Sequence, residues 1–362
     1  RNGSLFGVRF DLKRRRLEGS PVPLSEHVLH NPLSDATQMA FSDTGVLTFI
    51  PAASSGRELV WVDDRGLVEP VGAPSRAYEN VNLAPSGKQI AVSIDSQNED
   101  YLGASADVWL YDIPRGTLAQ MTFNGLSFRP QWLPDSSQLT YLRYDPGEKM
   151  QDLRRLYVDG SQEEDSLARV SEYFWLGYSV NRDLSSVLGV VYLPTNDQDI
   201  VEMNLKDEDR SQRTVVGDPS WQRGPALSPD GNWFAYCSHE TGTWEVYVKS
   251  YPGPGRKTKI SGGGGFEPVW DPNGHTLYYR KADEMWMVTY EAEDTFEPAQ
   301  PQYLFTYHSF GGLEIGTYAA AGDGRFLMIQ EDLDSSRQIN IVSNWFETLR
   351  QLIPTGENRT DD

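Results

Sequence analysis

Hydrophobic and polar positions alternate in short runs along most of the chain, and the runs come in pairs joined by one kind of turn. The clearest pair is residues 227–236, LSPDGNWFAY. An inward strand ends at Leu227, Ser-Pro-Asp-Gly reverses the chain, and Trp233 begins the return strand. Pro229 presets φ at the first central position, Asp230 can bond its own backbone, and Gly231 accepts positive φ at no steric cost. The pattern predicts a β-hairpin.

Copies follow along the sequence: LAPSGKQIAV at 83–92, WDPNGHTLYY at 270–279, and WLPDSSQLTY at 132–141, which has lost its glycine. FSDTG at 41–45 and AGDGRFL at 321–327 are shorter versions, and residues 178–189 are a seventh copy in which the turn Asn181-Arg182-Asp183 has drifted furthest. The turns recur roughly every 42 to 50 residues, the spacing of four-stranded blades packed round an axis. Outer strands with period-2 alternation are expected after each hairpin, at 59–62, 107–112, 156–160, 200–205, 244–249 and 285–290. Their apolar and aromatic positions should pack blade against blade as core.

The two ends complete this picture. Residues 5–10 and 21–24 read as strands joined by Lys13-Arg14-Arg15-Arg16, while the last unit, 316–329, is followed by a single outer strand at 338–342. Joining strands within 5–28 to the last hairpin would remove two open edges. Asn344 as cap, Glu347 three residues on, and Trp345, Leu349, Leu352 and Ile353 on one face before Pro354 predict a helix over about 344–353. That helix is expected to cover one face of the ring, with 355–362 a frayed tail. Residues 1–354 are therefore expected to form one all-β domain, a single β-propeller of seven four-stranded blades. The weak copy near Asn181 leaves six or eight open. The chain also opens on Arg1 in mid-pattern, as a processed or longer polypeptide would.

Composition agrees: 362 residues with 32 glycines, 22 prolines and 12% aromatics suit many short strands and tight turns. A net charge of −20 argues against a nucleic-acid partner and opposes anionic headgroups. The basic run at 13–16 is accordingly read as a solvated loop or as pairing with an acidic edge. Cys237, on a predicted strand, has no disulfide partner in the chain and reads as a buried, inert thiol. No stretch approaches 18 consecutive apolar residues, so no membrane-spanning segment is predicted in this sequence.

The in-phase Pro-Asp-Gly turns followed by apolar return strands resemble PD40 or TolB-like WD40 propeller repeats, and the match runs over essentially the whole chain. Phe-Asp-Leu and Gly-Ser-Pro-Val-Pro within residues 5–23, FEPVWDP at 266–272 and NWFETL at 344–349 are similar to the C-terminal propeller of bacterial membrane-anchored receptors, often fused to a serine/threonine kinase. No glycine-rich loop, His-Arg-Asp or Asp-Phe-Gly of a kinase occurs here. The resemblance implies a non-catalytic recognition or sensor propeller, periplasmic or otherwise extracytoplasmic and membrane-associated. It would bind a protein, a membrane complex, the receptor's own anchored portion or a small ligand. The alternatives are a scaffold subunit of a membrane-associated complex and, more weakly, a propeller hydrolase or peptidase-gating domain.

Searches for chemistry return little. His27, His30, His239, His275 and His308 show no metal-ligand spacing, and the Gly-x-Ser-x-Gly elbow is absent. Residues 262–265 are all glycine but lead from strand to strand, so they read as a flexible inter-blade connection and not as a phosphate loop. The carboxylates Asp95, Glu99 and Asp100, then Asp207, Glu208 and Asp209, then Glu331, Asp332 and Asp334 lack the ligand alternation of a calcium loop. No cofactor or metal is implied. Propeller geometry offers the better candidate, because segments entering the inner strands line the mouth of the central channel. Aligned hairpins put Asn80, Arg129, Gly224 and Glu267 at one equivalent position, preceded by Glu79, Phe128, Arg223 and Phe266. Tyr78, Trp175, Trp221 and Phe310 lie nearby. Aromatic side chains and a few charges around a concavity form a recognition surface. The competing reading is that Glu79, Arg129, Arg223 and Glu267 satisfy one another between blades.

Overall fold

All seven predicted turns end on a residue in the left-handed region: Gly45, Gly87, Ser136, Leu184, Gly231, Gly274 and Gly324, with φ between +52° and +87°. In the clearest copy the Gly231 N–H closes on the Ser228 carbonyl at 2.9 Å, while Ser228 Oγ accepts the Trp233 N–H at 3.0 Å. The copies without glycine keep this geometry. Ser136 N–H reaches the Leu133 carbonyl at 3.1 Å and Leu184 N–H that of Asn181 at 2.9 Å, each accepting about 1–2 kcal/mol of backbone strain.

In a computed structural model of the chain, residues 4–28, 30–31, 36–37, 39–50, 56–95, 106–171, 174–193, 197–308, 316–331 and 339–352 are described. They divide into a larger unit, Arg57–Asn98 with Ala104–Glu331, and a smaller one, Arg1–Gly56 with Glu99–Gly103 and Asp332–Asp362.

The larger unit is a β-propeller. Among the described residues it holds six antiparallel sheets, each built outward from an inner strand. The inner strands are Tyr78–Leu83, Ser127–Trp132, Phe174–Val180, Gln222–Leu227, Phe266–Trp270 and Tyr318–Ala320, which open blades one to six. Apolar faces interlock from blade to blade. Leu142 and Leu153 of blade two meet Tyr178, Val187 and Val201 of blade three. Ala235 and Val246 of blade four meet Trp270, Leu277 and Val288 of blade five.

Ring closure differs from the expectation. The last hairpin takes its outer strands from Arg57–Val62 and Val68–Pro70, with Phe326 opposite Val62 and Glu331 opposite Arg57, and not from residues 5–28. The sixth blade then packs on the first through Leu59, Leu327 and Ile329 against Tyr78, Ile90 and Val92. The ladder between Arg57–Val62 and Phe326–Glu331 has six paired residues, with Leu59, Val60 and Val62 buried.

A second recurrent device anchors the connections between blades. Asp107, buried at the start of a third strand, accepts Thr122 Oγ1 at 2.8 Å and the Asn124 and Gly125 N–H groups at 3.1 Å each. Glu245 does the same in blade four with Ser261 Oγ at 2.5 Å and the Gly263 N–H at 3.1 Å. The glycine run at 262–265 is thus an inter-blade link, as its strand-to-strand setting suggested, but Glu245 pins it where a flexible connection was expected.

In the smaller unit, Met39–Phe41, Leu47–Phe49 and Asn340–Val342 form a three-stranded sheet that contains the turn ending on Gly45. Among the described residues, Ser4–Asp11 pairs only with Arg16–His27. The helix Trp345–Leu352 buries Trp345 with Val28, Leu47 and Phe49. The Trp345 N–H bonds the Gly45 carbonyl at 2.7 Å. Gly45 needs both its positive φ and its lack of a side chain, because a Cβ there would lie 2.8 Å from Phe346 Cδ2. Ile353 and 355–362 lie outside the described residues.

Candidate functional site

Three inner strands carry the same irregularity. The pairing register shifts between Phe128 and Gln131, between Arg223 and Ala226, and between Phe266 and Val269. In each the extra residue has positive φ and precedes a proline: Arg129 (+56°), Gly224 (+59°) and Glu267 (+54°). Proline cannot donate to the ladder, so it is tolerated where a bulge interrupts pairing. The predicted equivalence of these three positions is a structural one. Asn80 departs from it, since it pairs with Ser93 and the shift falls at Glu79.

These bulges stitch blades together. The Arg129 N–H donates to Ser93 Oγ of blade one at 2.9 Å, and its carbonyl accepts the Tyr178 hydroxyl of blade three at 2.9 Å. The Glu267 carbonyl likewise accepts the Tyr318 hydroxyl at 2.9 Å. Burial takes several predicted site residues out of any exposed surface. Tyr78 (0% exposed), Asn80 (8%), Phe128 (7%) and Glu267 (1%) lie in the seams. Tyr78 and Phe128 belong to inter-blade apolar clusters.

The Glu267 carboxylate accepts the Thr317 N–H at 2.6 Å, Thr317 Oγ1 at 2.8 and 2.9 Å, and the Arg280 guanidinium at 3.3 Å. Its carboxyl is held above the ordinary range because burial outweighs the pull of Arg280 and Thr317. Arg280 also lies over the Phe266 ring at 5.3 Å. Glu267 thus has Arg280 and Thr317 as partners where Arg129 and Arg223 were candidates. Glu79, Arg129 and Phe266 are half-buried. Trp175 lies on the Phe174–Val180 strand, but its side chain and Phe310 lie outside the described residues.

Exposed Trp221 and half-buried Arg223 meet other aromatic side chains at one end of blade four. Trp221 enters the inner strand, His239 follows the second strand, Trp233–Ser238, and Trp244 precedes the third, Glu245–Ser250. Antiparallel pairing brings all three to the same end. The His239 N–H bonds the Trp221 carbonyl at 2.9 Å. Ring centroids are 6.5 Å apart for Trp221 and Trp244 and 5.4 Å apart for His239 and Trp244. Arg223 lies over both indoles, at 5.7 Å from Trp221 and 5.3 Å from Trp244. Its Nε donates to the buried Gln198 Oε1 at 2.9 Å, which fixes the plane of the guanidinium. The other N–H groups of that fork carry no protein hydrogen bond among the described residues.

Acidic groups flank this cluster. Lys257 bridges Asp218 at 2.7 Å and Glu240 at 2.5 Å. Asp199 occupies the place of Asp107 and Glu245, but Gly217 stands where Thr122 and Ser261 supply a hydroxyl. The Asp199 carboxyl is accordingly pushed up by burial and then by Asp197 and Asp218. Trp244 was expected to be outer-strand core and Gln198 drew no attention; both become visible only when the blade end is assembled. Cys237 is buried, with its thiol pushed up to about 12 by burial. No group of metal-ligating side chains occurs among the described residues.

Comparison with solved structures places the fold among TolB-like β-propellers. A protein from Agrobacterium tumefaciens assigned as TolB matches with a TM-score of 0.58 at 15% identity, over 76% of this chain and 98% of its own. The periplasmic gluconolactonase PpgL from Pseudomonas aeruginosa matches with a TM-score of 0.50 at 14% identity, over 79% and 92%. No family model matches the sequence, and no curated protein does.

Proposed function

We propose that this chain is a non-catalytic recognition propeller acting outside the cytoplasm as part of a larger receptor assembly. Its protein or small-molecule ligand binds at the blade-four end, on Trp221, Trp244 and Arg223. The observation that carries this reading is the Arg223 guanidinium, oriented by Gln198, laid over two indoles and with hydrogen-bonding capacity left over. Tryptophan and arginine are the side chains that most often dominate binding energy at interfaces. A guanidinium is permanently charged, which suits it to holding an anionic or carbonyl-bearing group. The extracytoplasmic setting is supported by the fold shared with a periplasmic protein.

The test is affinity capture from a cell-envelope extract of the source organism, comparing the native chain with Arg223→Ala and with Trp221→Ala/Trp244→Ala. A partner retained by the native chain should be lost from both variants, with affinity down about thirtyfold or more. An unchanged set of partners overturns the assignment. Hydrolytic turnover that disappears in Arg223→Ala or His239→Ala would replace recognition by catalysis.

A further inference from the structure

The hairpin formed by Ser4–Asp11 and Arg16–His27 has no third strand among the described residues, although a lone two-stranded ribbon is marginal in water. Successive side chains of a strand face opposite ways. Leu5 turns inward and packs with Val28, Leu47, Phe49 and Trp345. The alternate set, Phe6 and Phe10, faces out at 47% and 52% exposure, and Leu17, directly opposite Phe10, is 63% exposed. Leu12, at the tip, is 82% exposed. Phe10, Leu17 and Leu12 therefore form an uncovered apolar stripe at the tip end of the ribbon, with Phe6 beyond the register shift between Gly7 and Arg9.

The stripe ends in Lys13, Arg14, Arg15 and Arg16. Across residues 9–18 five cations stand against two acids. Arg14 and Arg16 meet Asp11 and Glu18 only at 3.7–3.8 Å while 66% and 61% exposed, so these pairs hold the cations weakly. Lys13 and Arg15 have no ion pair among the described residues.

We propose that this hairpin docks the protein on an anionic lipid bilayer. Phe10, Leu12 and Leu17 enter the boundary between headgroups and acyl chains, and the cations at 13–16 sit among the lipid phosphates. The overall charge of −20 does not forbid this, because at physiological salt a charge is felt over only about 8 Å. The tip is locally positive. Its cations are exposed and loosely held, so they fit a fluid array of phosphates better than fixed acceptors on a folded partner. Taken alone, the basic run reads as a solvated loop or as pairing with an acidic edge; the apolar face beside it is what adds the bilayer.

The test is co-sedimentation of the full chain with vesicles of phosphatidylcholine containing about one third phosphatidylglycerol, against phosphatidylcholine alone. Binding is expected only to the anionic vesicles, falling steeply with salt. Leu12→Ser and Leu17→Ser should each weaken it about tenfold, and Lys13→Glu/Arg14→Glu/Arg15→Glu at least a hundredfold. All these positions are exposed, and an unchanged melting temperature checks that each variant folds. As a second readout, Leu12→Cys can be labelled with a polarity-sensitive dye, since Cys237 is buried, and its emission should shift to the blue on the anionic vesicles. No sedimentation at low salt, equal binding by the variants, or a dye that stays in water while the protein sediments overturns the proposal. So does capture of an acidic protein by a chain that ignores vesicles. None of these outcomes depends on Arg223, so the blade-four assignment stands or falls separately.

Discussion

Arg280 and Glu267 are both buried, at 3% and 1% exposure, yet they differ in one capacity: a carboxylate can escape an unfavourable charge by taking up a proton, and a guanidinium cannot shed one. Glu267→Gln takes the carboxylate away from the buried Arg280 guanidinium, which keeps its bond to Thr317 Oγ1 at 3.0 Å, and the lost charge partner should cost about 3–5 kcal/mol once the native carboxyl is ionised. Arg280→Met should behave differently. It removes the charge that pulls the Glu267 carboxyl down, so a carboxyl already raised by burial rises further. The folded protein then holds a proton that the unfolded chain, with a glutamate pKa of about 4.3, has released. A folded state that binds more protons loses stability as pH rises. The loss runs at up to about 1.4 kcal/mol per pH unit from the unfolded pKa to the raised folded one, and levels off above it. Arg280→Met should therefore be mildest at the acid end of the pH range and grow more severe toward the alkaline end. Glu267→Leu/Arg280→Met, which buries no charge, should be more stable than either single variant at the higher pH. Urea unfolding followed by tryptophan fluorescence at several pH values measures all of this. A deficit for Arg280→Met that is the same at both ends of the range would refute the reasoning. A deficit below about 1 kcal/mol for Glu267→Gln would do the same.

Asp107→Ala should cost about 2–4 kcal/mol by removing the carboxylate that accepts Thr122 Oγ1 and the Asn124 and Gly125 N–H groups. Hydrogen exchange should show those two amides losing protection before the strands do. The Cys237 thiol, buried and pushed up to about 12, should resist a disulfide reagent near neutral pH in the native protein and react once urea unfolds it.

The turns and the fold class were legible because their determinants are local. Pro229, Asp230 and Gly231 sit side by side, and even where glycine was lost, Ser136 and Leu184 took up the conformation their neighbours demanded. The closing blade was not legible, because it depends on which remote edges meet: Arg57–Val62 and Phe326–Glu331 are nearly the whole ring apart in sequence. The candidate site was half legible. Trp221 and Arg223 stand out as neighbours in the chain, whereas His239, Trp244 and Gln198 join them only through strand pairing and packing between blades. Glu267 was misplaced at the mouth because Arg280 and Thr317, its partners, lie 13 and 50 residues away. Its alternation with Phe266 looked the same whether the carboxylate faced solvent or the seam.

The seam between Glu331 and Arg57 also dictates an order of events at the ribosome. Arg57–Val62 is among the first ring strands to emerge, yet its neighbour is translated only after five intervening blades. At roughly 5–20 residues per second that wait is on the order of ten seconds or more. Throughout it, one flank of an apolar strand lacks its hydrogen-bonding mate, open to capture by the same strand of another nascent chain. Whatever shields that flank during synthesis decides the yield of closed rings.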